Sequence, residues 1–294
     1  MKATDKDLNY DRLLIHKLDL MIERCTKRKF DNLLIVEGDE GYGKTNMAAL
    51  IAYYVSFKTG RQLSLDNVFF DAEEMVNFAK STQDQIIWLY EAAIAGLASE
   101  LQNKIQKKLI KMLMIARKKR HFYIICIPKF YKLNEYIIGR SIGMVRVYAK
   151  NETVLGRFVY YNKSCIRNLY NLWRTKKRLE YHKYCIFHGT FANVLGKIMD
   201  EDAYDEKKDA AILKALTDEE NNKSVEKVQL HGLKYGIACL IKRMKEIPQI
   251  NHEEALKILG TSYDTVRKWI VYGKNKQVPL ENEPILAQEG GNIS

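Results

Sequence analysis

Leu33-Leu34-Ile35-Val36 is a short unbroken apolar run that leads into a glycine-rich turn, Gly38-Asp39-Glu40-Gly41-Tyr42-Gly43, and then Lys44-Thr45. Such a run reads as a strand buried on both faces, which requires a mostly parallel sheet with helices on either side. Lys44–Phe57, rich in Ala, Met and Leu, reads as a helix ended near Gly60. Residues 38–45 fit GxxxxGK[ST] between that strand and that helix, the context in which the pattern has a mechanism. Glycines let successive backbone N–H groups point inward around phosphate oxygens, and the helix N-terminus adds a favourable dipole. Lys44 is expected to reach the β- and γ-phosphates of ATP, and the Thr45 hydroxyl to ligate Mg²⁺. Gly38, Asp39, Glu40, Gly41, Tyr42, Gly43, Lys44, Thr45 and Asn46 are the expected nucleotide contacts. Asp39 and Glu40 are unusual beside a triphosphate and are tolerable where they face solvent or a neighbouring subunit.

The alternation continues. Val68–Phe70, Gln85–Tyr90, Phe122–Ile127, Met144–Tyr148 and Arg157–Tyr161 read as strands. Ala72–Lys80, Leu97–Ala116 and a short segment near Leu133–Ile138 read as helices, the second with a stripe of Leu97, Leu101, Ile105, Leu109 and Met112. Strands alternating with helices imply an α/β fold with right-handed crossovers. Residues 165–199 look helical, aromatic and basic. The expected organisation is an N-terminal helical extension (1–31), an ATPase domain (32–199), a charged linker (200–228), a small helical module (229–278) and a loose tail (279–294).

A phosphate site needs a carboxylate at the end of a nearby strand. Ile86-Ile87-Trp88-Leu89-Tyr90-Glu91 has that form, so Glu91 is the candidate general base and, with Thr45, the candidate Mg²⁺ ligand. Tyr90 stands where Asp is usual. If a strand lies between the phosphate-loop strand and the carboxylate strand, its end lies near the γ-phosphate; Lys129 is then the candidate sensor after Phe122–Ile127. Arg140 and Arg146 are candidates for an arginine supplied to a neighbouring subunit, which stabilises charge on the transferred phosphoryl group. A surface or DNA-contacting role is the alternative for each.

Charge points to a polyanion. The chain has 48 Lys+Arg against 36 Asp+Glu, a formal net charge of +12. Lys104 to Lys132 holds ten basic residues and no acid. Lys118, Lys119 and Arg120 lie at its centre, and a second basic cluster spans Lys163 to Lys183. This asymmetry fits a nucleic-acid face better than uniform solubilising charge. The apolar runs fall far short of the ~20 residues that span a bilayer, and Met1–Asp5 is polar, so no membrane span or secretory signal is expected. Five scattered cysteines with no CxxC spacing fit reduced thiols in a cytoplasmic protein, and exclude a structural zinc pattern.

The order of these features resembles the FtsK/HerA superfamily of ring-forming DNA-pumping ATPases, more closely its virus, phage and plasmid members, some of them zonular-occludens-toxin-like. The resemblance rests on Gly38–Thr45, the IIWLYEA segment ending at Glu91-Ala92, and the helix closing in Ala116-Arg117-Lys118-Lys119-Arg120. Ile127-Pro128, Leu133–Ile137 and the Arg140 to Tyr148 segment complete it. It covers roughly residues 30–165. It implies a RecA-like P-loop NTPase core, ATP bound with Mg²⁺ between subunits of a homo-oligomer (a hexamer), and double-stranded DNA in a central channel. It implies a motor that packages, segregates or transfers a viral or plasmid genome, in the host cytoplasm if viral. Tyr90 and Lys129 depart from the pattern, and they bear on hydrolysis more than on binding.

His252–Ile270 reads as helix, tight turn, helix. Gly260 suits the turn and Ser262 can cap the second helix. The segment resembles helix-turn-helix DNA-binding modules, which would bring Tyr263, Thr265, Arg267 and Lys268 to the major groove or phosphates. A protein–protein helical hairpin is the alternative. The second functional reading of the whole chain is a nucleotide-gated, sequence-specific DNA-binding regulator or replication-initiation factor without translocation.

Overall fold

The computed structural model describes residues 8–90, 99–151, 153–214, 217, 262, 264, 265 and 268, with side chains left aside at 99–105. The chain divides into two compact units, Met1–Leu213 and Lys214–Ser294. The Gly38–Thr45 loop belongs to the first. Of the segment expected to form a helix-turn-helix, Ser262, Asp264, Thr265 and Lys268 are described; Tyr263, Arg267 and the rest lie outside the described residues. In the second unit the Ser262 hydroxyl accepts from Thr265 N at 3.3 Å, the capping contact expected of it.

The first unit is built on one seven-stranded sheet, in the order β2-β3-β4-β1-β5-β6-β7. The strands are β1 (Asn32–Glu37), β2 (Val68–Phe69), β3 (Ile86–Leu89), β4 (Phe122–Ile127), β5 (Gly143–Lys150), β6 (Val154–Asn162) and β7 (Phe187–Thr190). The helices are α1 (Arg12–Arg28), α2 (Lys44–Thr59), α3 (Ala72–Ser81), α4 (Ser99–Ile115), α5 (Glu135–Arg140), α6 (Lys163–Lys176), α7 (Tyr181–Tyr184) and α8 (Leu195–Ile198). Residues 201–213 are also helical. β1 is parallel to both β4 and β5, and β3 is parallel to β2 and β4. The α/β fold with a mostly parallel sheet is therefore as the sequence implied.

The far edge differs from a simple alternation. β5 and β6 are antiparallel, and so are β6 and β7. The reason is chain length. Only residues 151–153 join β5 to β6, whereas a parallel return needs a crossover of about a dozen residues. β7 lies within the segment 165–199 that composition alone marks as helical. Its four residues pair with Arg157–Tyr160 of β6, and tertiary pairing overrides a weak local pattern.

β1 is buried at all six positions. Leu34 and Val36 face a core shared with α1 and α2; Leu33 and Ile35 face a second core filled from α3, α4, α5 and α6. This two-sided burial explains the unbroken apolar run. At the opposite end of the sheet from the glycine-rich loop, His121 is wholly buried just before β4. Its Nδ1 accepts from Gln85 N at 3.1 Å, which leaves Nε2 to donate to Ala79 O at 3.0 Å. The imidazole is therefore a neutral cross-link between α3 and the starts of β3 and β4.

Burial lowers the His121 pKa from 6.5 to about 4. The unfolded chain takes up this proton near pH 6.5 and the folded chain does not, so the contribution is full above 6.5 and declines as pH falls towards 4. We expect the stability difference between the native protein and a His121→Phe variant, measured by urea unfolding, to shrink by up to about 3 kcal/mol between pH 7 and pH 4. A pH-independent difference would show that His121 is not held neutral.

Candidate nucleotide site

The end of β1 delivers the chain into a loop that closes on the first turn of α2. Gly38 N–H donates to Ile127 O at the end of β4, at 3.4 Å. A Cβ at Gly38 would lie 2.6 Å from Val147 O and 2.5 Å from Val147 Cγ2, so the approach of β5 leaves room only for glycine. Gly43 is the N-cap residue of α2 with φ +91°, a left-handed conformation that favours glycine, and the Phe191 ring lies 3.2 Å from where its Cβ would be. No acidic residue occupies the first turn of α2. The loop thus leads into the positive end of a 16-residue helix with no acid in its first turn, a physical ingredient of an anion site.

Lys44 is 5% exposed, and its Nζ donates to Asp39 O across the loop at 3.0 Å. A lysine folded over its own loop is placed to exchange that carbonyl for a phosphate oxygen. The side chains of Asp39 and Glu40 are exposed, the orientation in which two carboxylates are tolerable beside a polyphosphate. Thr45 is partly buried in the first helical turn. Asn46 Oδ1 accepts from Val194 N at 2.8 Å and Leu195 N at 3.0 Å, which fastens the start of α8 to α2. Asn46 therefore holds the wall of the site, where a nucleotide contact was expected of it.

Beneath the loop lies a group that the sequence reading passed over. Glu37, the last residue of β1, is 1% exposed. Its Oε1 accepts from Tyr181 Oη at 2.6 Å and from Phe130 N at 3.4 Å, and its Oε2 lies 3.6 Å from Arg146 Nε. The Arg146 guanidinium stacks on the Tyr181 ring, 3.9 Å from its centroid. Burial pushes the Glu37 carboxyl up to about 7, against the opposing pull of the Tyr181 hydroxyl and Arg146. The signal was present in the sequence: a carboxylate ending an apolar strand must be buried, and a buried carboxylate needs partners.

β4 lies between β1 and β3. Glu91, the expected base, lies outside the described residues. Tyr90, just after β3, donates its N–H to Phe69 O at 2.8 Å, and its ring packs against Phe70 and Tyr204. Lys129 is exposed just past β4.

The other expected site residues fall elsewhere. Arg140 donates to Asp31 Oδ1 at 2.6 Å, at the start of β1 and hence at the far end of the sheet from the loop. Lys119 Nζ donates to Lys80 O and Thr82 O, closing the C-terminus of α3, and Arg120 pairs with Asp84. Lys118 is exposed at this same end. The structure therefore brings Gly38–Asn46 and Arg146 to one end of the sheet, and Arg140, Lys118, Lys119 and Arg120 to the other.

Among the described residues no group of three or more His, Cys, Asp or Glu could hold a metal ion. A Mg²⁺ ion here would be held by the Thr45 hydroxyl together with phosphate oxygens and water, a sparse oxygen set of the kind Mg²⁺ accepts. No helix among the described residues is long and apolar enough to cross a membrane.

No family model matches the chain, and no curated protein matches it. Solved structures overlap it in part. A chain of the Escherichia coli HORMA:CdnC:Trip13 complex is 15% identical, with a TM-score of 0.34 over 58% of this chain and 75% of that one. The Thermotoga maritima RuvB Holliday junction branch migration motor is 15% identical, with a TM-score of 0.33 over 51% of this chain and 49% of that one. The FIGL-1 AAA domain in complex with ADP is 14% identical, with a TM-score of 0.34 over 60% of this chain and 65% of that one. Overlaps of this depth do not assign the chain to any of these proteins. The P-loop fold rests on the strand order and the loop geometry.

Two outcomes test this geometry. Gly38→Ala drives a methyl into the Val147 backbone, and we expect a loss of about 1–3 kcal/mol in thermal or chemical unfolding, as for other overpacked sites. Glu37 has a raised pKa, so its contribution is full below 4.5 and is lost as pH rises through about 7. The stability advantage of the native protein over Glu37→Gln should accordingly decline from pH 4.5 to pH 8; an advantage that grows would show the carboxylate, not the acid, to be the stabilised form.

Proposed function

We propose that the first unit binds ATP with Mg²⁺ at Gly38–Asn46 and hydrolyses it, and that the chain is a DNA-binding motor of the FtsK/HerA type. It would work as a ring of identical subunits, a hexamer favoured, to move, package or segregate viral or plasmid DNA. The observation that carries this reading is the loop itself. A glycine cradle follows a doubly buried strand and opens a helix, Lys44 is folded over it, and no first-turn acid competes with an incoming anion. The placement of β4 between β1 and β3 supports Glu91 as the residue that polarises water.

The roles follow from chemistry. Lys44 neutralises the β- and γ-phosphates, and the Thr45 hydroxyl and Glu91 complete the metal's surroundings. The metal, when bound, offsets charge on the phosphate oxygens. Of the two candidate arginines, Arg146 lies at the loop end of the sheet and is paired with Glu37, whereas Arg140 is committed to Asp31. An arginine acting on a neighbour's nucleotide would have to leave its present carboxylate. Lys118, Lys119 and Arg120, with Tyr263, Thr265, Arg267 and Lys268 of the second unit, would contact double-stranded DNA. Backbone contacts suit a translocase because they carry no base information.

A second reading, a nucleotide-gated DNA-binding regulator without translocation, draws on Tyr90. Its ring is packed against Phe70 and Tyr204 and offers no carboxylate where Asp is usual.

ATP turnover with and without duplex DNA separates the readings. The motor predicts DNA-stimulated, salt-sensitive hydrolysis that Lys44→Ala and Glu91→Gln each reduce at least 100-fold, on the scale of losing a main electrostatic stabiliser. Negligible turnover with protection of one defined sequence would favour the regulator. Wild-type turnover in the Lys44→Ala, Glu91→Gln double variant would refute the site.

A further inference from the structure

Phe191, between β7 and α8, brings an aromatic edge to the glycine-rich loop. Its Cε2 and Cζ each lie 3.2 Å from where a Cβ of Gly43 would stand. The residue stays partly exposed, and Ala192 and Asn193 after it are exposed. Leaving an aromatic ring partly in water forgoes some of the stabilisation that full burial would give.

The backbone at this position is set from two directions. Phe191 N donates to Gly156 O at 2.8 Å. A Cβ at Gly156 would run into Phe191 O, so the bare glycine of β6 is what admits the segment. On the other side Asn46 Oδ1 accepts from Val194 N and Leu195 N, tying the same segment to the first turn of α2. The buried Phe158 ring supports Phe191 from the sheet, with centroids 6.4 Å apart. Phe191 is therefore fixed relative to both β6 and the helix that the loop opens.

A nucleoside joined to phosphates in the loop must leave the loop on one side. Towards β3 the rings of Phe70, Tyr90 and Tyr204 close on one another, with centroids 5.3, 5.4 and 6.3 Å apart, and Tyr204 is 1% exposed. Towards β6 and β7 the wall is the 191–195 segment, with Phe191 against Gly43 and its successors open to solvent.

We propose that Phe191 is the base-binding residue of the nucleotide site: the uncovered part of its ring stacks on the base of the nucleoside triphosphate whose phosphates occupy Gly38–Asn46. The proposal rests on the phosphate-site reading above and adds where the base lies. A base stacked on an aromatic side chain tightens binding by about 5- to 150-fold. Every base has a π-face, and a phenyl ring offers no hydrogen bond, so Phe191 supplies affinity and not a choice among bases.

The test uses the full-length protein and two ligands with Mg²⁺, a non-hydrolysable ATP analogue and inorganic tripolyphosphate, each followed by calorimetry at pH 8. Tripolyphosphate keeps the phosphates and lacks the base. We expect Phe191→Leu, which retains apolar bulk without a ring, to bind the analogue about tenfold more weakly and tripolyphosphate as the native protein does. Phe191→His restores a flat ring, neutral at this pH, without aiming a hydroxyl at Gly43 as tyrosine would. It should recover much of the lost analogue affinity. Unchanged analogue affinity in Phe191→Leu overturns the proposal. So does an equal loss of tripolyphosphate, which would make Phe191 a support of the loop, and so does a Phe191→His variant as weak as Phe191→Leu. If the native protein binds neither ligand, the phosphate-site reading itself fails, and the role of Phe191 with it.

Discussion

β1 must be buried on both faces and must also end in a tight chain reversal that opens α2. The first condition is met by four apolar residues with a core on each side, one built on α1 and α2, the other on α3 to α6. The second is met where Val147 of β5 comes so close to Gly38 that no side chain fits between them. The start of the loop is therefore held by sheet packing.

The same end of the sheet is tied together by one buried carboxylate. Glu37 gathers Phe130 after β4, Arg146 on β5 and Tyr181 on α7 around the last residue of β1. A buried carboxylate is costly unless it is well partnered, and removing one partner costs more than the pair contributes. The cluster makes β1, β4 and β5 a single rigid end from which the loop springs. It also restrains Arg146: an arginine engaged with a buried acid and an aromatic face is not free to move without disturbing the floor of the loop.

The opposite end carries the Arg117–Arg120 run and Arg140, yet much of that charge is employed in the fold. Lys119 closes α3, Arg120 pairs with Asp84, and Arg140 pairs with Asp31. A run of basic residues read in sequence therefore overstates what is available to a polyanion, because the sequence does not show which cations meet a carbonyl or a carboxylate. The β1–loop–α2 unit was legible for the opposite reason. Its chemistry is local, set by glycine spacing and by what immediately precedes and follows it. Glu37 was visible as a residue, but its partners at positions 130, 146 and 181 come from three other elements, and no short pattern connects them.

By itself the sequence determined the α/β class, the β1–loop–α2 unit, and strands β2 to β5 with their parallel sense, because hydrophobic run length, glycine spacing and the length of each connection act over a few residues. Tertiary structure decided what depends on meetings between distant segments. It recruited residues 187–190 into the sheet as β7, through pairing that their own composition does not foretell. It placed Arg140 and Arg146 at opposite ends of β1 and set Asn46 against the start of α8. Local propensity fixes which elements form; only close packing of the whole unit fixes which side chains face one another.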